Sequence, residues 1–194
     1  RDRFLANVGN RDIGINLGYA KNPLYYYFNK DVAYFNQENS HWKDLQEMLK
    51  LAEKGTRHAA AKMNEDFENN KDRLIAPILF SALRQALTKT ERIERLILFV
   101  SNNPESSQHW KWDTIEAGKL LGKLVQSDTE LADKITEIEI VEVQNPNLHD
   151  SAYEFIGRKL AEFPEPKIKK VFASLSGGIP AMNSALRAQA IERY

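Results

Sequence analysis

Val171-Phe172-Ala173-Ser174-Leu175-Ser176-Gly177-Gly178-Ile179-Pro180-Ala181-Met182-Asn183 is the stretch whose reading decides the fold. A short apolar run passes through a double glycine into proline and then into helix-forming residues. That order predicts a buried strand, a tight turn and a helix opening at Pro180. Proline's fixed φ suits the first helical position, where its missing N–H is not needed. Gly177 and Gly178 let the chain turn sharply and bring backbone close to a ligand without a Cβ in the way. The free N–H groups and the positive dipole end of the following helix favour a phosphate or a polarised base edge. Ser174 and Ser176 add hydroxyls. The plainer alternative is that the glycines only permit a strand-to-helix turn.

Working outward, other segments repeat the strand-then-helix order. Leu96-Ile97-Leu98-Phe99-Val100 is continuously apolar, as a strand covered on both faces must be. Asp113 with Glu116 has the form of a capping box, opening a helix that carries Ile115, Leu120, Leu121, Leu124 and Val125. Ile138 to Val143 is a more alternating strand, suited to a place near a sheet edge, and Asp150 can cap a helix bearing Tyr153, Phe155, Ile156 and Leu160. Phe4 to Gly9 suits a first buried strand. Strands alternating with helices at this pace predict an α/β domain. The expected fold is Rossmann-like, a mostly parallel, doubly wound sheet with helices on both faces.

The stretch between the first strand and Leu96 is less regular. Leu24–Phe28 and Val32–Phe35 flank Asn29-Lys30-Asp31 like a hairpin. Trp42, Leu45, Met48, Leu49 and Ala52 predict an amphipathic helix over residues 41–54. From Thr56 to Thr88 the pattern is helical but interrupted. Ala59 to Phe67 forms one segment, an apolar stripe from Leu74 to Leu87 forms another, and the polar patch Glu65–Lys71 separates them as a bend or break. Pro77 inside the stripe marks a helix start or a kink.

The chain has 194 residues, enough for one complete α/β domain and few for two. It opens directly before a strand and ends within a helical pattern, so it reads as an excerpt of a longer protein with a further C-terminal domain expected. Lys plus Arg and Asp plus Glu both number 27. A protein gripping a long nucleic acid through many phosphates usually has a basic excess, so the balance favours a small ligand held locally. The absence of cysteine excludes disulfides and thiolate metal sites and fits a reducing cytoplasm. No run approaches the roughly 18 apolar residues needed to span a bilayer, so no membrane partner is expected.

Ligands of open parallel sheets bind beyond the carboxyl ends of the strands, where the strand order reverses. Polar loops follow four of the predicted strands, at Asn7–Asp12, Ser101–Pro104, Gln144–Asn147 and Ser174–Asn183. Asn10, Arg11 and Asp12 can hydrogen-bond a base edge, a ribose or a phosphate oxygen, or Arg11 and Asp12 can pair and fix the loop. Ser101-Asn102-Asn103 is a weaker candidate, since a polar turn after a strand is the default expectation. His41, His58, His109 and His149 are scattered without metal-ligand spacing, so neither a metal nor a cofactor is expected. His149 next to Asp150 reads as part of a cap, since adjacent side chains rarely face each other. Neither the P-loop pattern nor a GxGxxG fingerprint is present, which removes the main support for ATPase and dehydrogenase chemistry. Tyr25-Tyr26-Tyr27 can stack on bases or pack within a strand.

The first-strand turn Ala6-Asn7-Val8-Gly9-Asn10-Arg11-Asp12, taken with Ser174–Asn183, resembles the CARF domain, the CRISPR-associated Rossmann fold of type III accessory ribonucleases. Gly177-Gly178 and Pro180-Ala181-Met182 match that family's turn, while Ile179 stands where threonine is common. The resemblance implies an antiviral signalling role: a homodimer that binds a cyclic oligoadenylate in a cleft across its two-fold axis and regulates a C-terminal effector. The HEPN ribonuclease signature is missing from this chain, so that effector is expected beyond it. The implied ligand-binding set is Asn7, Gly9, Asn10, Arg11, Asp12, Ser101, Asn102, Ser174, Ser176, Gly177, Gly178, Ile179, Pro180, Met182 and Asn183. Two alternatives stay open. One is a metal-independent ring nuclease using Asn10, Arg11, Ser176 and the glycine-turn N–H groups, although no poised general base is visible. The other is a domain for a different nucleotide. Gly178→Val and Arg11→Ala are each expected to abolish binding while leaving the fold intact.

Overall fold

The computed structural model describes residues 2–10, 12–15, 50, 53–162 and 168–194, and the backbone alone for 16 and 25–27. After β1 (Arg3–Asn7), a small antiparallel sheet is built from β2 (Gly14–Asn16), β3 (Tyr25–Tyr27) and β4 (Leu74–Ile75), in the order β3-β2-β4. The main sheet joins β1 to β5 (Ile93–Ser101), β6 (Ile135–Val143) and β7 (Val171–Ser174). Its order is β6-β5-β1-β7 and every pairing is parallel, with Leu5 facing Ile97 on one side and Ala173 on the other. The helices are α1 (Thr56–Glu65), α2 (Pro77–Leu87), α3 (Ile115–Ser127), α4 (His149–Ala161) and α5 (Pro180–Arg193).

Side-chain alternation along the central strands creates two cores. Phe4, Ala6, Leu96, Leu98 and Val100 pack with Ala59, Ala60 and Met63 of α1, Leu79 and Leu83 of α2, and Leu120, Leu121 and Leu124 of α3. Leu5, Ile97, Phe99, Val141 and Val143 pack with Ala152, Ile156 and Leu160 of α4 and Met182, Ala185 and Leu186 of α5. This two-sided burial explains why β5 is apolar at every position from Leu96 to Val100, all of them buried. The chain first moves outward from β1 to β5 and β6. It then returns past β1 to β7, so the strand order reverses between β1 and β7. The α/β, Rossmann-like expectation is met.

β6 lies at the sheet edge, as its alternation predicted, and it presents Glu137 and Glu139 to Arg95, with Glu139 also bound by Lys159. The region before β5 departs from the sequence reading. Leu74 and Ile75 form β4 instead of opening a helix, and α2 begins with Pro77 in its first turn. Proline cannot sit inside a helix without losing a bond and clashing with the preceding turn, so the stripe divides there. α1 ends at Glu65, followed by a helical turn at Phe67–Asn70 and a tight turn at Lys71–Arg73. β3 pairs with β2. The hairpin partner expected over 32–35 lies outside the described residues. So does the helix expected over 41–54, apart from Lys50 and Glu53, both helical. Among the described residues, no helix is long and apolar enough to cross a membrane.

Candidate functional site

The loops after β1 and β7 meet at the reversal point, and they meet backbone to backbone. A Cβ on Gly9 would stand 2.5 Å from the Gly178 nitrogen. One on Gly177 would stand 2.1 Å from Asp12 Oδ2 and 2.6 Å from the Asn7 carbonyl oxygen, and one on Gly178 would stand 2.6 Å from Asn7 Cβ. Gly178 also has φ of 82°, a left-handed conformation that side chains strain to adopt. The double glycine therefore lets the two loops meet closely. Two hydrogen bonds complete the clasp. Asn7 Nδ2 donates to Asn183 Oδ1 at 2.8 Å, and the Gly9 N–H donates to Asp12 Oδ2 at 2.7 Å.

The loop after β5 is built differently. The Ser101 N–H donates to Thr114 Oγ1 and the Thr114 N–H donates to Ser101 Oγ, both at 3.0 Å, which pins the two ends of the 102–113 segment together. Asp113, almost wholly buried, accepts from the Asn103 N–H and from Asn103 Nδ2 at 2.6 Å each, and from Arg57 Nη2 at 2.9 Å. Asp113 thus makes no cap. Thr114 holds that position, without a side-chain capping bond, and the capping-box reading of Asp113 with Glu116 is corrected. The same correction applies to Asp150, which lies inside the first turn of α4 with its carboxylate 3.3 Å from His149 Nδ1, while Leu148 occupies the cap. Asn102 donates to Glu142 Oε2 and accepts from Arg57 Nη2, both at 2.6 Å.

Between these walls, at the carboxyl ends of the sheet, is a cavity of about 220 Å³. The β1 loop contributes Val8, Gly9 and Asn10, and the β7 loop contributes Gly178 and Ile179. Ser101, Asn103, His109, Trp112, Asp113 and Thr114 form the wall after β5, and Asn147 reaches in from the loop after β6. Behind the cavity, a void of about 10 Å³ is bordered by Asn7, Asp12, Ser174 and Gly177. A larger open hollow of about 670 Å³ lies between the end of α1 and α3, lined by Glu65, Asp66, Glu68 and Lys123 among others. It is remote from the strand ends, so the smaller cavity is the better candidate.

Three oxygens on the β1 side, Asn7 Oδ1, Asn10 Oδ1 and Asp12 Oδ1, are buried and have no hydrogen-bond partner among the described residues. Such acceptors are costly to leave unpaired. Burial pushes the Asp12 carboxyl up from the ordinary 3.8 to about 6, and the Gly9 N–H offsets only part of that rise.

Of the residues expected at a site, Gly9, Asn10, Ser101, Gly178 and Ile179 border the cavity. Asn7, Asp12, Ser174 and Gly177 meet behind it, and Asn183 is held by Asn7. Asn102 is engaged with Arg57 and Glu142. Ser176 and Pro180 are exposed and outside the cavity lining. Met182, on α5, is fully buried in the core and outside the cavity lining. Arg11 lies outside the described residues. Sequence reasoning missed Val8, His109, Trp112, Thr114 and the cavity role of Asp113. The compact run His109-Trp110-Lys111-Trp112-Asp113-Thr114, rich in aromatic and polar groups just before a helix, was the available signal. Among the described residues, no group of three or more His, Cys, Asp or Glu side chains could hold a metal ion. No protein-family model matches the chain, and no curated protein matches it.

Proposed function

We propose that this chain is a sensor domain that binds a cyclic oligoadenylate between two copies of itself, with occupancy read out by an effector domain. The observation that carries the reading is the cavity at the strand-order reversal, lined by polar groups from the loops after β1, β5, β6 and β7. Its volume, about 220 Å³, falls below the roughly 300–1,000 Å³ of complete small-molecule pockets. A half-site completed by an identical half suits a symmetric ring ligand, because a two-fold interface repeats the same loops on both sides. Asn10, with an oxygen that lacks a partner among the described residues, and Trp112, an aromatic ring, both border the cavity and suit an exocyclic amine and a stacked base. Ligand preference for one arrangement of the pair would then shift the population that the effector senses.

His109 in the same lining favours a second reading, a ring nuclease. In that reaction the imidazole takes the proton of a ribose 2′-hydroxyl as its oxygen bonds to the adjacent phosphorus. The bond from phosphorus to the 5′-oxygen breaks, that oxygen takes up a proton, and the opened product ends in a 2′,3′-cyclic phosphate.

The test is a thermal-shift measurement with cyclic tetra-adenylate and cyclic hexa-adenylate, followed by analysis of the recovered ligand. A rise in melting temperature with intact ligand is the result expected for the sensor. Linear products that vanish in His109→Asn establish the nuclease instead. No shift and no product with either ring overturns both.

A further inference from the structure

The 102–113 segment supplies much of the cavity wall, and part of what holds it, Arg57 and Gly55, lies outside the cavity lining. Arg57, in the first turn of α1, makes three directed contacts with it. Nε donates to the Trp110 carbonyl oxygen at 3.1 Å, and Nη2 donates both to Asn102 Oδ1 at 2.6 Å and to Asp113 Oδ2 at 2.9 Å. The guanidinium also lies over the Trp110 ring, 4.7 Å from its centroid. The side chain of Arg57 is 17% exposed and that of Asp113 2% exposed, so water competes weakly for this pair. A second element of the same clasp is independent of charge. Gly55, with φ of 101°, packs so closely under the segment that a Cβ would stand 2.1 Å from the Lys111 carbonyl oxygen.

At its start, the Asn102 N–H reaches the Val143 carbonyl oxygen of β6 at 3.4 Å, and the backbone bonds beyond it are local turns: Ser107 to Pro104, Trp110 to Ser107, Trp112 to His109 and Asp113 to Trp110. Such turns shape the segment without fixing where it stands relative to the sheet. Its ends are pinned by the Ser101–Thr114 exchange, and its Trp110–Asp113 portion is held by the start of α1. Asp113 couples the two regions, since it faces the cavity while accepting from Arg57 and from both nitrogens of Asn103.

We infer that Arg57 is the positioning residue of the candidate site: through Asp113 and Trp110 it sets where Asn103, His109 and Trp112 stand, and thereby sets the affinity of the cavity. A planar guanidinium with several donors and an aromatic face can satisfy a carboxylate, an amide, a carbonyl and an indole ring at once. A lysine ammonium keeps the charge but loses that fork. The inference rests on the proposed oligoadenylate reading only for the ligand arm of its test.

The experiment compares the parent chain with Arg57→Ala, Arg57→Lys and Gly55→Ala. Amide hydrogen exchange over 102–113 is one readout. A second is Trp110 emission and its quenching by acrylamide, taken in a Trp42→Phe, Trp112→Phe background. A third is calorimetric affinity for cyclic tetra- and hexa-adenylate in the natural tryptophan background. Arg57→Ala should raise exchange and quenching in this segment, leave exchange in β1 and β5 as in the parent, and weaken binding at least tenfold. Arg57→Lys should fall between the two, and Gly55→Ala should loosen the same segment with Arg57 intact. If Arg57→Ala fails to fold, the lysine and Gly55 variants decide by the same readouts.

The inference is overturned if these variants keep the parent's exchange and emission, or if they loosen the segment while binding as tightly as the parent. If the parent binds neither ring, the oligoadenylate reading fails by itself, and exchange and emission alone decide the role of Arg57.

Discussion

The two walls of the carboxyl-end cavity have opposite character. On the β5 side, Ser101, Asn103, Asp113 and Thr114 satisfy one another, with Arg57 closing the network. On the β1 side, Asn7, Asn10 and Asp12 each carry a buried oxygen with no partner among the described residues, and the glycines of the β7 loop press against Asn7 and Asp12. A fully paired polar network fixes one geometry. An unpaired set of acceptors is a cost to the folded state, and one that a ligand or a water with hydrogens to donate can relieve. The contrast assigns the walls different work: the β5 side is a preformed scaffold, and the β1 side holds the capacity for new bonds. Substitutions on the two sides should therefore differ in sign as well as in size.

The largest effect is expected where the β1 and β7 loops touch. Gly178→Val places a branched side chain at a left-handed φ of 82° and drives it into Asn7, whose Cβ would stand 2.6 Å from the new carbon. The strain falls on a half-buried turn and the clash on buried Asn7, so destabilisation of at least about 3 kcal/mol is expected, measured by urea unfolding. The expectation of lost binding on an intact fold is accordingly revised: this variant disturbs the junction of β1 and β7 before any ligand is considered. Stability within about 0.5 kcal/mol of the parent would mean that the loops do not meet in this way.

The strand-to-helix turn was legible because its cues are local. An apolar run, two glycines and a proline at the first helical position need no distant partner to be understood, and α5 begins at Pro180 as they require. β5 was legible because burial on both faces leaves an uninterrupted apolar string. β4 was not, since two apolar residues, Leu74 and Ile75, continue the spacing of the α2 stripe, and only their pairing with β2 makes them a strand. The site divides in the same way. That Gly177 and Gly178 mark a turn could be read from the chain, but their contacts with Asp12 and Asn7 arise from folding residues far apart in sequence onto each other. Asp113 carried a misleading local pattern. Its spacing to Glu116 fits a capping box, yet a distant arginine and a neighbouring asparagine claim its carboxylate.

A smaller effect, of opposite sign, is expected at Asp12. Its carboxyl titrates near about 6 in the folded chain because it is buried, against 3.8 for an ordinary aspartate. A carboxyl whose folded pKa is raised holds its proton more tightly when folded than when unfolded. The stability it contributes is therefore fully present below about pH 4, falls as pH rises toward about 6, and is constant above that. At neutral pH the charged form costs about 3 kcal/mol, since each pH unit separating the folded and unfolded titrations is worth about 1.4 kcal/mol. Asp12→Asn keeps an oxygen for the Gly9 N–H and removes the charge. The variant should be more stable than the parent at pH 7.5 and lose that advantage by pH 4, seen as converging urea midpoints. Midpoint curves that run parallel across this range would show that Asp12 is not a buried, charge-bearing weak point of the β1 wall.

The smallest effect tests the satisfied wall. Ser101→Ala removes the hydroxyl that accepts the Thr114 N–H at 3.0 Å, at a position only 4% exposed. The Ser101 N–H keeps its bond to Thr114 Oγ1, so the exchange is halved and one N–H at the start of α3 is left buried without an acceptor. Losing such a bond typically costs about 1 kcal/mol. The change should appear as a lower urea midpoint with an unchanged slope, and as faster amide exchange at Thr114 than at residues in the middle of α3. It should be independent of pH between about 4 and 8, because no titrating group gains or loses a partner. Here removing a polar group weakens the fold, whereas at Asp12 removing a charge strengthens it, and that difference in sign separates a wall whose bonds are complete from one that still has bonds to make. A Ser101→Ala chain as stable as the parent would place the two walls on the same footing and remove the reason for treating the β5 side as scaffold.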